Sequence, residues 1–145
     1  SMSTQNVVSR WLDAFKSKDL ESVEQLLAED LVVKATNLPN PLTKPQWLGF
    51  IKTLMNAFPD IQFNWRTECV ENGSADLVYQ LTGTHTAKLA LSGMGMKDFE
   101  PTKKSFSLPE DTYSMTLVGD KISRIDIDPK AGAGLGGILV QLGLS

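Results

Sequence analysis

The sequence predicts an α+β domain in which a curved antiparallel sheet wraps around a long helix. Two patterns support this prediction. Up to Phe58, apolar residues recur at the spacing of about 3.6 that is typical of amphipathic helices. Beyond Pro59 they alternate with polar residues, as in half-buried strands. The chain has 145 residues, of which 41% are hydrophobic, so we expect a single domain over residues 1–145.

The first part of the chain predicts a pair of helices. Ser3 or Thr4 can cap the first helix, because each offers a side-chain oxygen to the free N–H groups of a first turn. The apolar face of this helix consists of Val7, Val8, Trp11, Leu12 and Phe15. Asp19 can cap the second helix, whose apolar positions extend to Leu26 and Leu27.

A short strand at residues 31–33 and a third helix follow. Thr43 and Gln46 form a capping box at the start of this helix. Pro59 ends it, because proline lacks the N–H group that a helix interior requires. The apolar stripe that we expect to fill the concave side of the sheet consists of Trp47, Phe50, Ile51, Leu54, Met55 and Phe58.

The rest of the chain predicts strands and a C-terminal helix. Alternation begins at residues 61–65, and Asn72-Gly73 predicts a hairpin turn between strands at 68–71 and 75–86. On the second of these strands, one face carries Tyr79, Leu81 and His85. Later strands are predicted near residues 104–108, 113–117 and 122–127. A glycine-rich stretch at 131–137 leads to a short apolar helix at 138–142, which we expect to pack over a pocket mouth or a partner subunit.

Composition excludes several classes of protein. Fourteen basic and seventeen acidic residues give a net charge of −3, and no basic stripe favours nucleic-acid binding. One cysteine, Cys69, excludes an internal disulfide, and Cys69 with His85 supplies too few ligands for a structural zinc site. The sequence shows neither a membrane span nor a signal-peptide pattern, so we expect a cytoplasmic protein that binds no membrane.

Residues 81–86, with the sequence Leu-Thr-Gly-Thr-His-Thr, resemble the SnoaL-like polyketide cyclases of the nuclear transport factor 2-like superfamily. The likeness extends over about residues 4–128, through segments at 11–15, 27–31, 58–61, 101–106 and 119–122. It implies a cystatin-like cone in which three N-terminal helices pack in the curved sheet. It also implies frequent homodimers through the open sheet face, and no metal or organic cofactor.

His85 and two acids are the candidate catalytic residues. An imidazole titrates near neutrality and can shuttle a proton, although His85 also fits a structural histidine bonded to the flanking threonines. The resemblance implies an acid on the strand before the last hairpin. Asp111 or Tyr113 occupies that place, and the alternative for Asp111 is a solvated turn after Pro109. Asp126 is a further candidate if its strand face points inward. An outward face, on which Asp126 would be ordinary surface polarity, fits the neighbouring isoleucines better.

These observations leave two functions open. The chain is either a cofactor-free cyclase or isomerase that acts on a hydrophobic carbonyl compound by general acid/base proton transfer, or a non-catalytic small-molecule-binding or dimerisation module. We expect an apolar pocket and a homodimer, because an open sheet leaves an apolar face that helices on one side do not cover. The expected substrate-binding residues are Tyr79, Trp11, Trp47, Phe58, Tyr113 and Met115.

Overall fold

The structure is a computed structural model that describes residues 2–145. The helices are α1 (Thr4–Lys16), α2 (Leu20–Gln25), α3 (Lys44–Ala57) and α4 (Gly134–Gln141). The strands are β1 (Leu27–Ala35), β2 (Leu42–Thr43), β3 (Arg66–Glu71), β4 (Ser74–Tyr79), β5 (Thr82–Thr84), β6 (Ser105–Ser107), β7 (Asp111–Val118) and β8 (Lys121–Ile127). This is the α+β architecture that the two periodicities predict.

Six strands form the main sheet in the order β2-β1-β8-β7-β4-β3, and β5 pairs with β6 in a separate two-stranded sheet. All neighbours are antiparallel except β1 and β8, which run parallel. The expectation of a purely antiparallel sheet is therefore wrong at this one pair. The predicted hairpin is confirmed, since β3–β4 turns at Asn72-Gly73, and a second hairpin joins β7 and β8 at Gly119-Asp120.

The helix starts follow the predicted caps. The Ser3 side chain accepts a hydrogen bond from the N–H of Asn6, and Asp19 accepts one from Ser22. Thr43 and Gln46 form the reciprocal capping box of α3. The predicted end of the second helix is wrong, because α2 stops at Gln25 and Leu27 already belongs to β1. Pairing with β8 decides this boundary, since Leu27 lies opposite Ile122 in the sheet.

The stripe of α3 fills the concave side of the sheet, as predicted. Trp47, Ile51, Leu54 and Phe58 are each at most 2% exposed and belong to one hydrophobic core with the inner faces of the strands. Phe50 and Met55 pack at its margin. Among residues 2–145, the helices are too short or too polar for any of them to traverse a bilayer.

The predicted strand at 75–86 is broken after Tyr79. At the break, the side-chain Nε2 of Gln80 donates to the carbonyl of Leu108 and to Ser107 Oγ at 2.8 and 2.9 Å. The chain then continues as β5 in the small sheet, and His85 follows the end of β5, whereas Tyr79 ends β4 in the main sheet. Residues 61–65 alternate between buried and exposed positions but form only a bridge from Gln62 to Thr82.

Candidate functional site

Five aromatic side chains meet inside the main sheet, and we call them the aromatic cluster: Trp11, Trp47, Trp65, Tyr79 and Tyr113. Ring centroids lie 5.7 Å apart for Trp11 and Trp47, 5.0 Å for Trp65 and Tyr113, and 4.9 Å for Tyr79 and Tyr113. The first pair is stacked and the other two are edge-to-face, and both arrangements are favoured between aromatic rings. The rings come from α1, α3, β4, β7 and the segment before β3, so the fold itself assembles the cluster.

Two of the five rings carry phenol groups that stay neutral. Trp47 Nε1 donates a hydrogen bond to the Tyr113 hydroxyl over 3.1 Å, in a fully buried setting. Burial raises the pKa of Tyr113 to about 12, with a smaller contribution from the negative charge of Asp111. Burial is also the main cause of the raised pKa of Tyr79, and the charges of Tyr113 and Asp111 raise this pKa further. Both hydroxyls therefore remain hydrogen-bond donors at neutral pH.

Asp111 is the carboxyl group next to this cluster. It lies directly opposite Tyr79 in the β4–β7 pairing, on the same inner face of β7 as Tyr113. Only 2% of the residue is exposed, so the expectation of a solvated turn at this position is wrong. Its Oδ1 accepts a hydrogen bond from the backbone N–H of Lys130 at 3.0 Å. Burial raises the pKa of Asp111, because a desolvated carboxylate is disfavoured relative to the neutral acid.

Asp126 points to the outer face of the sheet, as the alternation on β8 predicted. Arg124 donates to both of its oxygens, at 2.8 and 2.9 Å, and this bidentate pairing lowers the pKa of Asp126. A groove of about 390 Å³ along β1, β7 and β8 includes both Asp111 and Asp126 in its lining, although their side chains belong to opposite faces of the sheet. The other residues of the groove are Lys34, Thr36, Thr112, Ser114, Arg124, Ile127, Asp128 and Lys130.

His85 belongs to a second, separate cluster. It is completely buried, with its ring 5.5 Å from that of Phe58, which in turn packs on Phe106 at 4.8 Å. The backbone N–H of Thr102 donates to Nδ1 at 3.1 Å, which makes Nδ1 an acceptor and places the ring proton on Nε2. The expected position of His85 beside Tyr79 is wrong, because Tyr79 instead contacts Trp65 and Tyr113. Phe58, an expected substrate-binding residue, lies with His85 and not with the aromatic cluster.

Protonation of His85 is expected to destabilise the fold. Burial lowers its pKa below the ordinary value of 6.5, so the unfolded chain binds the proton more tightly. The stability that neutral His85 provides is complete above about pH 6.5 and is lost as the pH falls through its folded pKa. Urea unfolding at pH 7, 6 and 5 should show a falling free energy of unfolding, and His85→Gln should flatten this slope.

His85 is the one histidine of the chain, so few other groups titrate in this window. Burial outweighs the negative charge of Glu100, which acts to raise the pKa of His85. Carboxylates with a lowered pKa, such as Asp60 and Asp98, also contribute to the stability of the fold, but they lose this contribution only at lower pH. An equal slope in the wild type and in His85→Gln would contradict the prediction.

The remaining expected residues divide between the two clusters and the core. Trp11, Trp47, Tyr79 and Tyr113 come together in the aromatic cluster, and Met115 lies buried on the inner face of β7. Sequence reasoning missed Lys130 and Thr102 as hydrogen-bond partners of Asp111 and His85. Lys130 acts through its backbone N–H, and Thr102 through both its backbone N–H and its hydroxyl. A backbone N–H group leaves no residue-type signal in a sequence. Within residues 2–145 no three His, Cys, Asp or Glu side chains are grouped to hold a metal ion.

A curved sheet closed over a long helix, with aromatic rings and a carboxyl group on its inner face, defines an α+β cone of the nuclear transport factor 2-like type. The chain belongs to the SnoaL-like polyketide cyclase family, whose pattern matches residues 5–123. A search of curated proteins gave no match.

Solved structures of low sequence identity share the fold. AclR from Streptomyces galilaeus, a proposed hydroxylase, is 19% identical with a TM-score of 0.71, over 97% of this chain and 95% of that one. A proposed SnoaL-like polyketide cyclase from Jannaschia sp. CCS1 is 13% identical with a TM-score of 0.70, over 100% and 96% of the two chains. IdmH from Streptomyces antibioticus, a proposed polyketide cyclase, is 21% identical with a TM-score of 0.63, over 97% and 98%.

Proposed function

We propose that the chain is a cofactor-free cyclase or isomerase in which Asp111 moves a proton on a hydrophobic carbonyl compound. The observation that carries this proposal is the burial of Asp111 beside Tyr79 and Tyr113. A carboxyl group in such surroundings has a raised pKa, which brings it closer to that of a carbon acid and favours proton exchange with carbon. Family membership supports the same class of reaction.

The neighbouring groups fit the chemistry of an enolate. Ionised Asp111 would take the proton from the carbon next to the carbonyl, and the carbonyl oxygen would then gain negative charge. The Tyr113 hydroxyl accepts its hydrogen bond from Trp47, so its own proton is available for that oxygen. Return of the proton from Asp111 to another carbon completes an isomerisation. In a ring closure the enolate carbon attacks a second carbonyl, whose C=O π bond opens, and the proton on Asp111 passes to the new alkoxide oxygen.

The aromatic cluster supports a flat, apolar substrate. Indole and phenol rings offer large surfaces on which a fused-ring ketone can stack. Trp65 and Tyr79 are the two members of the cluster that remain partly exposed, whereas Trp11 and Trp47 are at most 1% exposed. We therefore place the expected apolar pocket at Trp65 and Tyr79, next to Asp111.

An exchange experiment tests this function with a simple probe. 2-Tetralone is a fused-ring ketone with acidic protons on the carbons beside its carbonyl. In D₂O, the wild-type protein is expected to speed deuterium incorporation at these carbons over buffer alone, as followed by proton NMR. If 2-tetralone quenches the tryptophan fluorescence but its exchange stays at the buffer rate, the binding-module function replaces the enzymatic one.

We also propose that the chain forms a homodimer through the outer face of the main sheet. Val32 and Val118 expose apolar side chains there, at 37% and 71%, which supports a contact surface. The polar Lys34, Ser114 and Thr116 are exposed on the same face, so it is less apolar than the sequence predicted. Light scattering at micromolar concentration is expected to give twice the mass of 15.9 kDa, and the monomer mass would contradict the proposal.

A further inference from the structure

Trp47 and Tyr113 form a buried hydrogen bond that joins α3 to β7. The Nε1–H of Trp47 donates to the Tyr113 hydroxyl oxygen over 3.1 Å, and the two residues are 1% and 6% exposed. An indole N–H can only donate, whereas a phenol hydroxyl can both donate and accept. The bond therefore makes the Tyr113 oxygen an acceptor towards Trp47 and leaves the phenol proton for a different partner.

The same bond gives the phenol proton a direction. The O–H of a phenol lies near the plane of its ring and has two orientations there, and the one that faces the Trp47 N–H is closed to it. Among residues 2–145, the bond from Trp47 is the only hydrogen bond of the Tyr113 hydroxyl. Asp111, on the same inner face of β7, acts on Tyr113 through its charge. The proton is thus held away from Trp47 and is not used by the fold.

Trp47 differs in this respect from the two other tryptophans of the chain. The Nε1 atoms of Trp11 and Trp65 are buried without a hydrogen-bond partner among the described residues. Trp11 stacks on Trp47 with ring centroids 5.7 Å apart, so the two indoles are direct neighbours. Of two stacked indoles, only one is therefore bonded to the hydroxyl that we propose as the donor to substrate.

The bond from Trp47 also makes Tyr113 a stronger donor. A hydrogen bond to the phenol oxygen stabilises the negative charge that grows there as the phenol proton moves towards an acceptor. In agreement, this bond acts to lower the pKa of Tyr113, although burial outweighs it and raises that pKa to about 12. A substrate oxygen attracts the proton most when it carries the charge of an enolate, so the contribution of Trp47 is largest at that stage.

We propose that Trp47 is a positioning residue, which directs the Tyr113 proton towards the substrate oxygen and strengthens Tyr113 as a donor to an enolate. Trp47 acts through the Tyr113 oxygen and not by touching the substrate. It has this role only if Tyr113 donates to a carbonyl oxygen, so the proposal rests on the proposed function. Its consequence is a coupling between the two side chains, because the Trp47 N–H has no effect on a ligand once the Tyr113 hydroxyl is removed.

Two aromatic probes measure this coupling without turnover. 2-Naphthol has the ring skeleton of the enol of 2-tetralone with the oxygen in the same place, and naphthalene lacks this oxygen. Isothermal titration gives the Kd of each probe, and the ratio of the two Kd values measures what the ligand oxygen gains. We expect the wild-type protein to bind 2-naphthol about tenfold more tightly, the upper end of the net gain from one hydrogen bond.

The same ratio in four variants isolates the Trp47 N–H. Trp47→Phe keeps an aromatic ring without the donor and should reduce the ratio to about threefold. Tyr113→Phe should reduce it to about one, and the double variant should match Tyr113→Phe alone. Trp11→Phe is the matched control, because it deletes an N–H without a partner and should leave the ratio at its wild-type value. Equal ratios in Trp47→Phe and Trp11→Phe would overturn the proposal, as would a wild-type ratio near one or a wild type that binds neither probe.

A spectroscopic signature tests the wild-type protein even if Trp47→Phe does not fold. The three tryptophans give three indole signals in a proton–nitrogen NMR spectrum, and Tyr113→Phe identifies that of Trp47 by removing its partner. 2-Naphthol should move the Trp47 signal further downfield than naphthalene does, because a more negative Tyr113 oxygen strengthens the bond. The Trp11 signal should respond to both probes alike. Equal responses of the Trp47 signal to the two probes would overturn the proposal.

Turnover distinguishes a failure of this proposal from a failure of the proposed function. In the exchange of 2-tetralone, Trp47→Phe should lower kcat about three- to tenfold with little change in KM. A loss confined to KM would overturn the positioning role. A wild type that shows the expected ratio of Kd values, but exchanges 2-tetralone only at the buffer rate, would reject the proposed function and leave the coupling of Trp47 and Tyr113 in ligand binding intact.

Discussion

Asp111→Asn is expected to slow the exchange of 2-tetralone by about 10²–10⁴-fold, the usual contribution of a positioned general acid or base. Asparagine has nearly the same shape and keeps an oxygen that can accept the hydrogen bond from Lys130. It cannot take up a proton, so binding should change little while kcat falls. Exchange rates measured by NMR over a range of 2-tetralone concentrations give kcat and KM separately.

The fold of this variant should remain intact. Burial raises the pKa of Asp111 above its ordinary value of 3.8, so the ionised form destabilises the folded state. This destabilisation increases as the pH rises through the folded pKa. Removal of the charge is therefore expected to leave the free energy of unfolding at pH 7 equal or higher. Asp126→Asn is the matched control, because it deletes a carboxylate that lies on the outer face and is already paired with Arg124. Equal losses of exchange activity in the two variants would contradict the assignment of Asp111.

Much of the fold follows from signals that lie close together in the chain. The caps at Ser3, Asp19 and Thr43 depend on a side chain and a backbone group three residues apart, so sequence spacing predicts them well. The helix stripe and the strand alternation predict which side chains are buried, because both follow from fixed geometric periods. These same local rules place Tyr113 and Asp111 on one inner face of β7.

The site depends on contacts that no local rule contains. At the break after Tyr79, Gln80 forms hydrogen bonds with residues 107 and 108, which are distant in sequence. The alternation of side chains along a strand predicted that Tyr79 and His85 share one face. Six residues of extended chain span about 20 Å, however, so two residues on one face need not be neighbours. The backbone N–H of Lys130, which follows β8, donates to Asp111, and no pattern around Pro109 indicates that this distant residue returns there.

Trp11→Ala is expected to cost about 3–5 kcal/mol of folding free energy, the usual loss for a large aromatic side chain in a core. Trp11 is completely buried and touches Phe15, Trp47, Trp65 and Tyr113, with centroid distances from 4.8 to 6.4 Å. Its removal leaves a cavity at the centre of the aromatic cluster, where α1, α3 and the sheet meet. Urea unfolding should show a lower midpoint with an unchanged slope, since the same surface is exposed on unfolding.

Trp11→Phe separates packing from hydrogen bonding at the same position. The indole Nε1 of Trp11 is buried without a hydrogen-bond partner among the described residues, so phenylalanine removes a donor that the fold leaves unsatisfied. It keeps most of the apolar volume, and we expect it to cost clearly less than Trp11→Ala. Val118→Ala, at a position that is 71% exposed, should stay within about 0.5 kcal/mol of the wild type. A Trp11→Ala loss as small as that of Val118→Ala would show that the aromatic cluster does not hold the helices to the sheet.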